Sequence, residues 1–537
     1  MSGPSLRSAW LLAAIAITGA VGFADARAQE AAADAPPAAD APAEKFDVWE
    51  YRVLGSKVLD AKAIERAVYG FLGTHKTIAD IEQARLALET AYRTAGYSTV
   101  FVDIPEQTID SGIVRLNVTE GKLDRLRVTG ARYFSNRQIL ARLPSLESGS
   151  VPHFPDVQKE LAALNRVTPD RSVTPVLRAG RTPGTVDVEL KVTDDRPFHG
   201  KVEVNDRYTA DTTKLRTSVN LSYDNLWQRA DSISLQYQIA PQAANEAEVL
   251  AATYVERLDK ANTILALYAV KSSTDVATVG TLSVLGKGKI FGVRGIRPLG
   301  NLGPYSHNLT FGIDFKDFAE DIQLTAEDGI STPIKYVNWS ASYGFGWSLP
   351  KSRSDFSFGA SWGMRGFGND DAEFENKRFK ARANYGYLTG SATHSRQVFG
   401  NAQFVARLGW QLANTPLISN EQFAVGGAAS VRGYLEAERL GDAGASLSLE
   451  LHSPSLVKTS RILDLHFLGF FDTAAVRLED PLPAQDASMK LQSFGAGFRF
   501  AGFHGLTAEI DWARVLRTSV NAADGDDRVH FRIDYGF

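Results

Sequence analysis

The sequence predicts a membrane-spanning β-barrel preceded by two small α+β modules. Three observations carry this reading. Strict polar/apolar alternation runs through residues 198–537, a strand–helix–helix–strand–strand order occurs twice between residues 46 and 195, and the chain opens on an export signal. No later stretch is apolar and long enough for a spanning helix, so a place in a membrane has to be taken with strands.

Residues 1–28 read as a signal peptide. Arg7 precedes an apolar run from Trp10 to Phe23, and Ala26-Arg27-Ala28 suits cleavage after Ala28. Residues 29–45 are nearly all Ala, Pro, Asp and Glu, a composition that cannot build a core and reads as a linker. The 537 residues are 44% hydrophobic and 22% charged, with a formal net charge of −4. That balance excludes a wholly disordered chain and offers no basic excess for a nucleic-acid partner. With no Cys there is no disulfide framework, thiolate metal site or cysteine nucleophile. The nine His are scattered singly, and neither HExxH nor GxxxxGK[ST] occurs. No catalytic residue, metal site or cofactor is therefore expected.

Residues 46–120 form the first module. Ile64, Ala67, Val68, Phe71 and Leu72 mark one helix face, Ile78 to Ala95 a second helix stopped by Gly96, and Ser98–Val102 and Ile113–Val118 two strands. Residues 121–195 repeat the order at an offset of 75, with Arg52-Val53-Leu54-Gly55 matching Arg127-Val128-Thr129-Gly130. A small sheet of this kind leaves an edge strand able to pair with an extended peptide, or serves as a rigid spacer.

Residues 196–537 form the barrel. Val219, Leu221 and Tyr223 alternate with Ser218, Asn220 and Ser222, and Val529, Phe531, Ile533, Tyr535 and Phe537 with His530, Arg532, Asp534 and Gly536. A large soluble β-protein also alternates, but these runs are long for one, and aromatics such as Trp227, Trp347 and Trp512 mark strand ends as interfacial girdles do. Length fits sixteen strands, and fourteen or eighteen nearly as well. Gly368-Asn369-Asp370-Asp371 and Asn521–Asp527 read as surface loops.

Particular residues carry a family resemblance. Phe423 to Tyr434, with Gly426, Gly427, Val431, Arg432, Gly433 and Tyr434, resembles the signature loop of protein-translocating outer-membrane barrels. It is most similar to the hemolysin secretion/activation transporters (ShlB/FhaC/HecB type) of two-partner secretion. Gly469-Phe470-Phe471-Asp472 resembles the second barrel motif of that family, Tyr97–Gly121 the end of its first POTRA module, and the terminal Phe537 its barrel-assembly signal.

The resemblance implies a sixteen-stranded transmembrane β-barrel behind two POTRA modules in the periplasm. Its loop would fold into the lumen and set Arg432 against Asp472, with Glu450 as a second acceptor. Its partners would be an unfolded secreted polypeptide, outer-membrane lipids and, during biogenesis, the barrel assembly machinery. The alternative is an assembly factor that inserts other outer-membrane proteins. Two departures stand out. Only residues 29–45 are available for the N-terminal plug helix many members carry, and Ala474 replaces a glycine common in the second motif.

Overall fold

The structure, a computed structural model, describes residues 45–537 apart from Asp110, Asp211, Asp275, Gly280, Thr281, Glu320, residues 324–328 and Lys458. The expected signal segment and the linker as far as residue 44 lie outside the described residues. No helix among the described residues is long and apolar enough to cross a membrane.

In the first module the strand Ile113–Glu120 lies between Glu50–Leu54, parallel to it, and Val100–Asp103. The helix Ala61–Val68 starts where the Asp60 carboxylate accepts from the Ala63 N–H at 2.7 Å. The helix Ile78–Thr94 buries Ile81, Ala84, Leu88 and Tyr92, one stripe along its length. A short extra sheet pairs Phe46–Val48 with Gly73–Lys76, and each of its strands is too short to show a period in the sequence.

The second module repeats the plan. The strand Thr185–Asp194 lies between Lys122–Thr129, parallel, and Arg171–Ala179, antiparallel. Helices Asn136–Ala141 and Phe154–Asn165 bury Ile139, Leu161 and Leu164 against Val188 and Leu190. The glycines of the repeated motif do the same task in each copy. Gly55 has φ +87° and Gly130 φ +85°, and a Cβ on either would stand 2.3 Å from a carbonyl oxygen, of Val118 and of Val192 respectively. Arg171 is 2% exposed, stacked 5.0 Å over the Phe134 ring, with one hydrogen bond to the Leu164 carbonyl and no partner for Nε or Nη1. Burial, and to a smaller extent Arg142, pushes its guanidinium down to about 10.

The barrel is closed and antiparallel throughout. Its sixteen strands are β1 (Phe198–Asn205), β2 (Arg216–Leu226), β3 (Asp231–Ile239), β4 (Val249–Leu258), β5 (Thr263–Ser272), β6 (Gly288–Leu302), β7 (Tyr305–Phe318) and β8 (Ile334–Leu349). The second half comprises β9 (Ser352–Gly363), β10 (Gly386–Gln397), β11 (Gln403–Ala413), β12 (Ala443–His452), β13 (Ile462–Arg477), β14 (Ser488–Gly502), β15 (Leu506–Val515) and β16 (Asp527–Gly536). Closure comes from β1 pairing β16, with register from Asn205↔Arg532 to Lys201↔Gly536. Phe291, Phe311, Leu388, Phe467, Ile510 and Ile533 stand exposed on the outer surface, as lipid contact requires.

The second module is bonded to one end of the barrel. In the β2–β3 turn the Gln228 side chain accepts from Ser135 N–H at 2.8 Å and donates to Tyr133 O at 2.9 Å, while Asp259 of the β4–β5 turn pairs with Arg142 at 2.9 Å. Connections alternate between ends along the strands, so residues 364–385, 414–442, 478–487 and 516–526 all lie at the opposite end.

There the expected surface loops take another course. Asp370 caps a short helix, Asp371–Lys377, that buries Phe374 to 1% exposure. Phe374 packs with Ile290, Phe318, Tyr336 and Tyr385 of the wall and Leu417 and Ile418 of the next long loop. The acidic tip is polar, as read, but the apolar residue one turn on draws the segment inward. The Asn521–Asp527 segment is likewise tied in. Asn521 donates twice to Glu438, and Ala522 is buried.

Candidate functional site

The loop between β11 and β12 carries the signature residues. Its base is a hairpin, Phe423–Val425 with Arg439–Gly441, and its tip is closed by a bridge between Gly427 and Val431. Gly426, Gly427 and Gly433 hold φ of +109°, +93° and +95°, and a Cβ on Gly426 would meet the Leu435 carbonyl at 2.6 Å. Ser430 Oγ accepts from the Gly426 N–H at 2.8 Å and donates to its carbonyl at 3.0 Å, while the Glu436 carboxylate accepts from Ala428 N–H at 3.1 Å.

Arg432 is 3% exposed and meets groups from three strands. Nε and Nη2 donate to the two oxygens of Asp472 on β13 at 2.8 and 2.9 Å, and its own backbone N–H donates to the same carboxylate at 3.1 Å. Nη1 lies 2.9 Å from Glu450 on β12 and 3.4 Å from Asp511 on β15, and Nη2 3.2 Å from Ser448 Oγ. The guanidinium sits 3.5 Å over the ring of Phe470, on the same strand as Asp472. Arg407 of β11 pairs with Glu450 at 2.9 Å, and Arg499 of β14 chelates Asp511 at 2.7 and 2.9 Å. Three carboxylates thus face three guanidiniums. The network is charge-balanced, which is what lets it be buried.

A chain of titratable groups leads away from it. Glu450 lies 2.9 Å from His452 Nε2, His452 Nδ1 3.0 Å from His466 Nε2, and His466 Nδ1 2.8 Å from Asp464.

Val431 and Tyr434, both 0% exposed, lie against Ala474, Val476, Leu491 and Val515, and the Tyr434 hydroxyl reaches the carbonyls of Gln492 and Arg517 at 3.0 and 2.7 Å. Ala474 is 3% exposed in this cluster, so its methyl fills space beneath the loop. Phe537 follows β16. Its N–H and carbonyl bond the carbonyl and N–H of Gly200 at 2.9 and 3.0 Å, and a Cβ at Gly200 would lie 2.2 Å from its ring.

Sequence reasoning missed the ties at the far end of the lumen. Asp442, 0% exposed, is chelated by Arg378 at 2.5 and 2.6 Å and also accepts from Leu417, Gln422 and Glu479. Glu421 accepts from Lys316 and Tyr336, each at 2.5 Å, and from Tyr387 at 2.7 Å. No spacing joins Arg378 to Asp442; only the folded loops do. One Gly-x-Ser-x-Gly string, Gly359 to Gly363, lies inside β9 with Ser361 in register with Ser340 and Tyr387. It is a ladder position, not the strand-to-helix elbow a serine nucleophile uses.

A closed sixteen-stranded barrel, two α+β modules ahead of it in the chain and a glycine-bearing loop held in the lumen are the parts of an outer-membrane transporter of the POTRA class. The chain belongs to the haemolysin secretion/activation protein ShlB/FhaC/HecB family, which matches residues 184–500, and a ShlB-type POTRA domain matches residues 46–121. It is a two-partner secretion transporter of the outer membrane. Among relatives, the heme/hemopexin transporter protein HuxB of Haemophilus influenzae (strain 86-028NP) is 21% identical over 498 residues, 89% of this chain and 85% of its own. The outer membrane transporter CdiB of Dickeya dadantii (strain 3937) is 25% identical over 211 residues, 39% of this chain and 37% of its own. Among solved structures, CdiB from Escherichia coli superposes with a TM-score of 0.64 at 19% identity over 94% of this chain and 93% of its own. BamA from Haemophilus ducreyi lacking POTRA domains 1–3 gives 0.56 at 12% over 92% and 100%. These last two are likenesses of fold.

Proposed function

We propose that the POTRA modules receive an unfolded secreted partner polypeptide in the periplasm and that it crosses the barrel once the lumenal loops give way, without ATP. The observation that carries this is what fills the lumen. The obstruction is made of loops held by replaceable ion pairs and small apolar contacts, while the wall itself is a complete sixteen-stranded ladder. Edge strands Glu50–Leu54 and Val100–Asp103 in the first module, and Lys122–Thr129 and Arg171–Ala179 in the second, are the places for an extended chain to add, away from Leu123, whose backbone bonds Ser150 and Gly149, and Val173, whose backbone bonds Asn165. Folding of the partner outside removes the unfolded species and draws the remainder across.

Arg432 with Asp472 and Glu450 holds the loop in its resting seat, and Phe537 is read by the barrel assembly machinery before the barrel enters the lipid. The test is the appearance of the partner outside cells. Deleting this transporter abolishes export while other outer-membrane barrels keep their abundance. Loss of those barrels instead would favour the assembly-factor reading.

A further inference from the structure

Gly433, next to Arg432, is held at both of its backbone polar groups by the last strand. Its N–H donates to His530 Nε2 at 3.0 Å, and its carbonyl accepts from Arg528 Nε at 3.1 Å. A backbone N–H can only donate, so Nε2 carries a lone pair and the ring proton sits on Nδ1, which lies 3.0 Å from Asp206 Oδ2. His530 is 6% and Asp206 8% exposed.

Both side chains also reach the segment that continues from the first strand. Asp206 accepts from Phe531 N–H at 2.8 Å, Arg528 Nη1 lies 2.7 Å from Tyr208 Oη, and Tyr208 O accepts from Glu436 N–H at 3.1 Å. The β1–β16 ladder ends at Asn205↔Arg532. Beyond it, first strand, last strand and loop are joined by these contacts.

We propose that His530 is the positioning residue of the lumenal loop, that it does so only as the neutral Nδ1–H tautomer, and that gain of a proton releases Gly433 while keeping Asp206. The proposal rests on the loop leaving its seat during transport. A proton on Nε2 would set one N–H against another at 3.0 Å, which no rearrangement short of parting relieves. Acidification, which supplies that proton, is therefore the perturbation that tests the contact. The charged groups around His530 are Asp206 and Arg207 after β1, Asp511 opposite it on β15, Arg432 and Glu436 of the loop, and Arg528 and Arg532 on its own strand.

Because the chain has no Cys, Ala429→Cys at the exposed loop tip gives one site for a nitroxide spin label. The full chain folded into lipid vesicles is measured by spin-label mobility from about pH 8 to about pH 5.5, with no partner present. With His530 the mobile fraction should rise about threefold or more on acidification. His530→Gln offers a carbonyl oxygen where Nε2 was and cannot titrate, so it should stay restrained and flat across the range. His530→Asn keeps a donor toward Asp206 but no acceptor for Gly433, and should be mobile at every pH. A flat profile with His530, the same profile in His530→Gln, or restraint in His530→Asn overturns the proposal. Should His530→Asn fail to fold, the comparison with His530→Gln still decides. Cargo export plays no part in the readout, so failure here is separate from failure of the transport reading.

Discussion

Removing the Arg432 guanidinium should cost far more than its small share of the chain suggests. In Arg432→Met, Glu450 keeps Arg407 and Asp511 keeps Arg499, but Asp472, fully buried, is left with no cation. Orphaning one partner of a buried pair costs about 3–5 kcal/mol, and losing the stack on Phe470 adds about 1. Asp472→Ala should cost less, about 2–3 kcal/mol, because Glu450 and Asp511 still face Arg432. The double variant should then fall short of the sum by about 2–3 kcal/mol. Urea titration of the folded barrel in lipid vesicles, followed by tryptophan fluorescence, measures all three. In cells, Arg432→Ala should lower partner secretion with the amount of folded barrel little changed, since each ~1.4 kcal/mol lost from the seat shifts the ratio of seated to unseated loop tenfold and the loop no longer returns to the resting position from which transport starts. Additive costs, or normal secretion from a normally folded variant, would refute the reasoning.

Three further outcomes follow from other contacts. Phe374→Asp places a charge in the apolar cluster at the outer end of the lumen, and should raise single-channel conductance in planar bilayers above that of the unsubstituted chain. Arg378→Ala leaves Asp442 without its cation and should act in the same direction, with loop 414–442 more open to protease added outside cells. Arg171→Met removes a buried, mostly unsatisfied guanidinium at the loss of one hydrogen bond. Its downward shift to about 10 corresponds to about 3 kcal/mol against the charged form, so the variant should gain about 1–2 kcal/mol in denaturant unfolding of the second module. The sign follows from linkage. A base whose folded value is depressed is unfavourable to folding at pH 7 and becomes less so only as pH rises through about 10.

What the sequence disclosed followed from periodicity and repetition. Alternation with period two marks a wall with one face in lipid and one in water, so Val529, Ile533 and Tyr535 announced β16 without any partner being known. The two α+β modules were legible because Gly55 and Gly130 solve one local problem, a carbonyl passing too close for a Cβ, and so recur in the same word. Arg432 and Asp472 stand 40 residues apart, and no local pattern joins them. Their pairing was suggested by the family's two motifs, with the strand face of Asp472 as the physical support. The outer stopper was hidden for a different reason. Phe374 sits among Asp, Glu, Asn and Lys in a segment that reads as solvated, and its burial depends on Phe318, Tyr336 and Leu417, none of them near it in sequence. His530 looked like any polar residue on an alternating strand, because its partners come from the beginning of the barrel and from the loop.

The helix in the β9–β10 connection serves two surfaces at once. Phe374 and Lys377 turn inward, while Ala372, Glu373, Glu375 and Asn376 remain exposed, and just before them Gly366 and Gly368 flank an exposed Phe367 with open space around both glycines. An epitope tag spliced in at Gly366–Gly368 should therefore be displayed on living cells without unseating the stopper. The same tag placed one turn past Phe374 would pull the segment out of the barrel. The envelope would then admit bulky antibiotics that the outer membrane normally turns away.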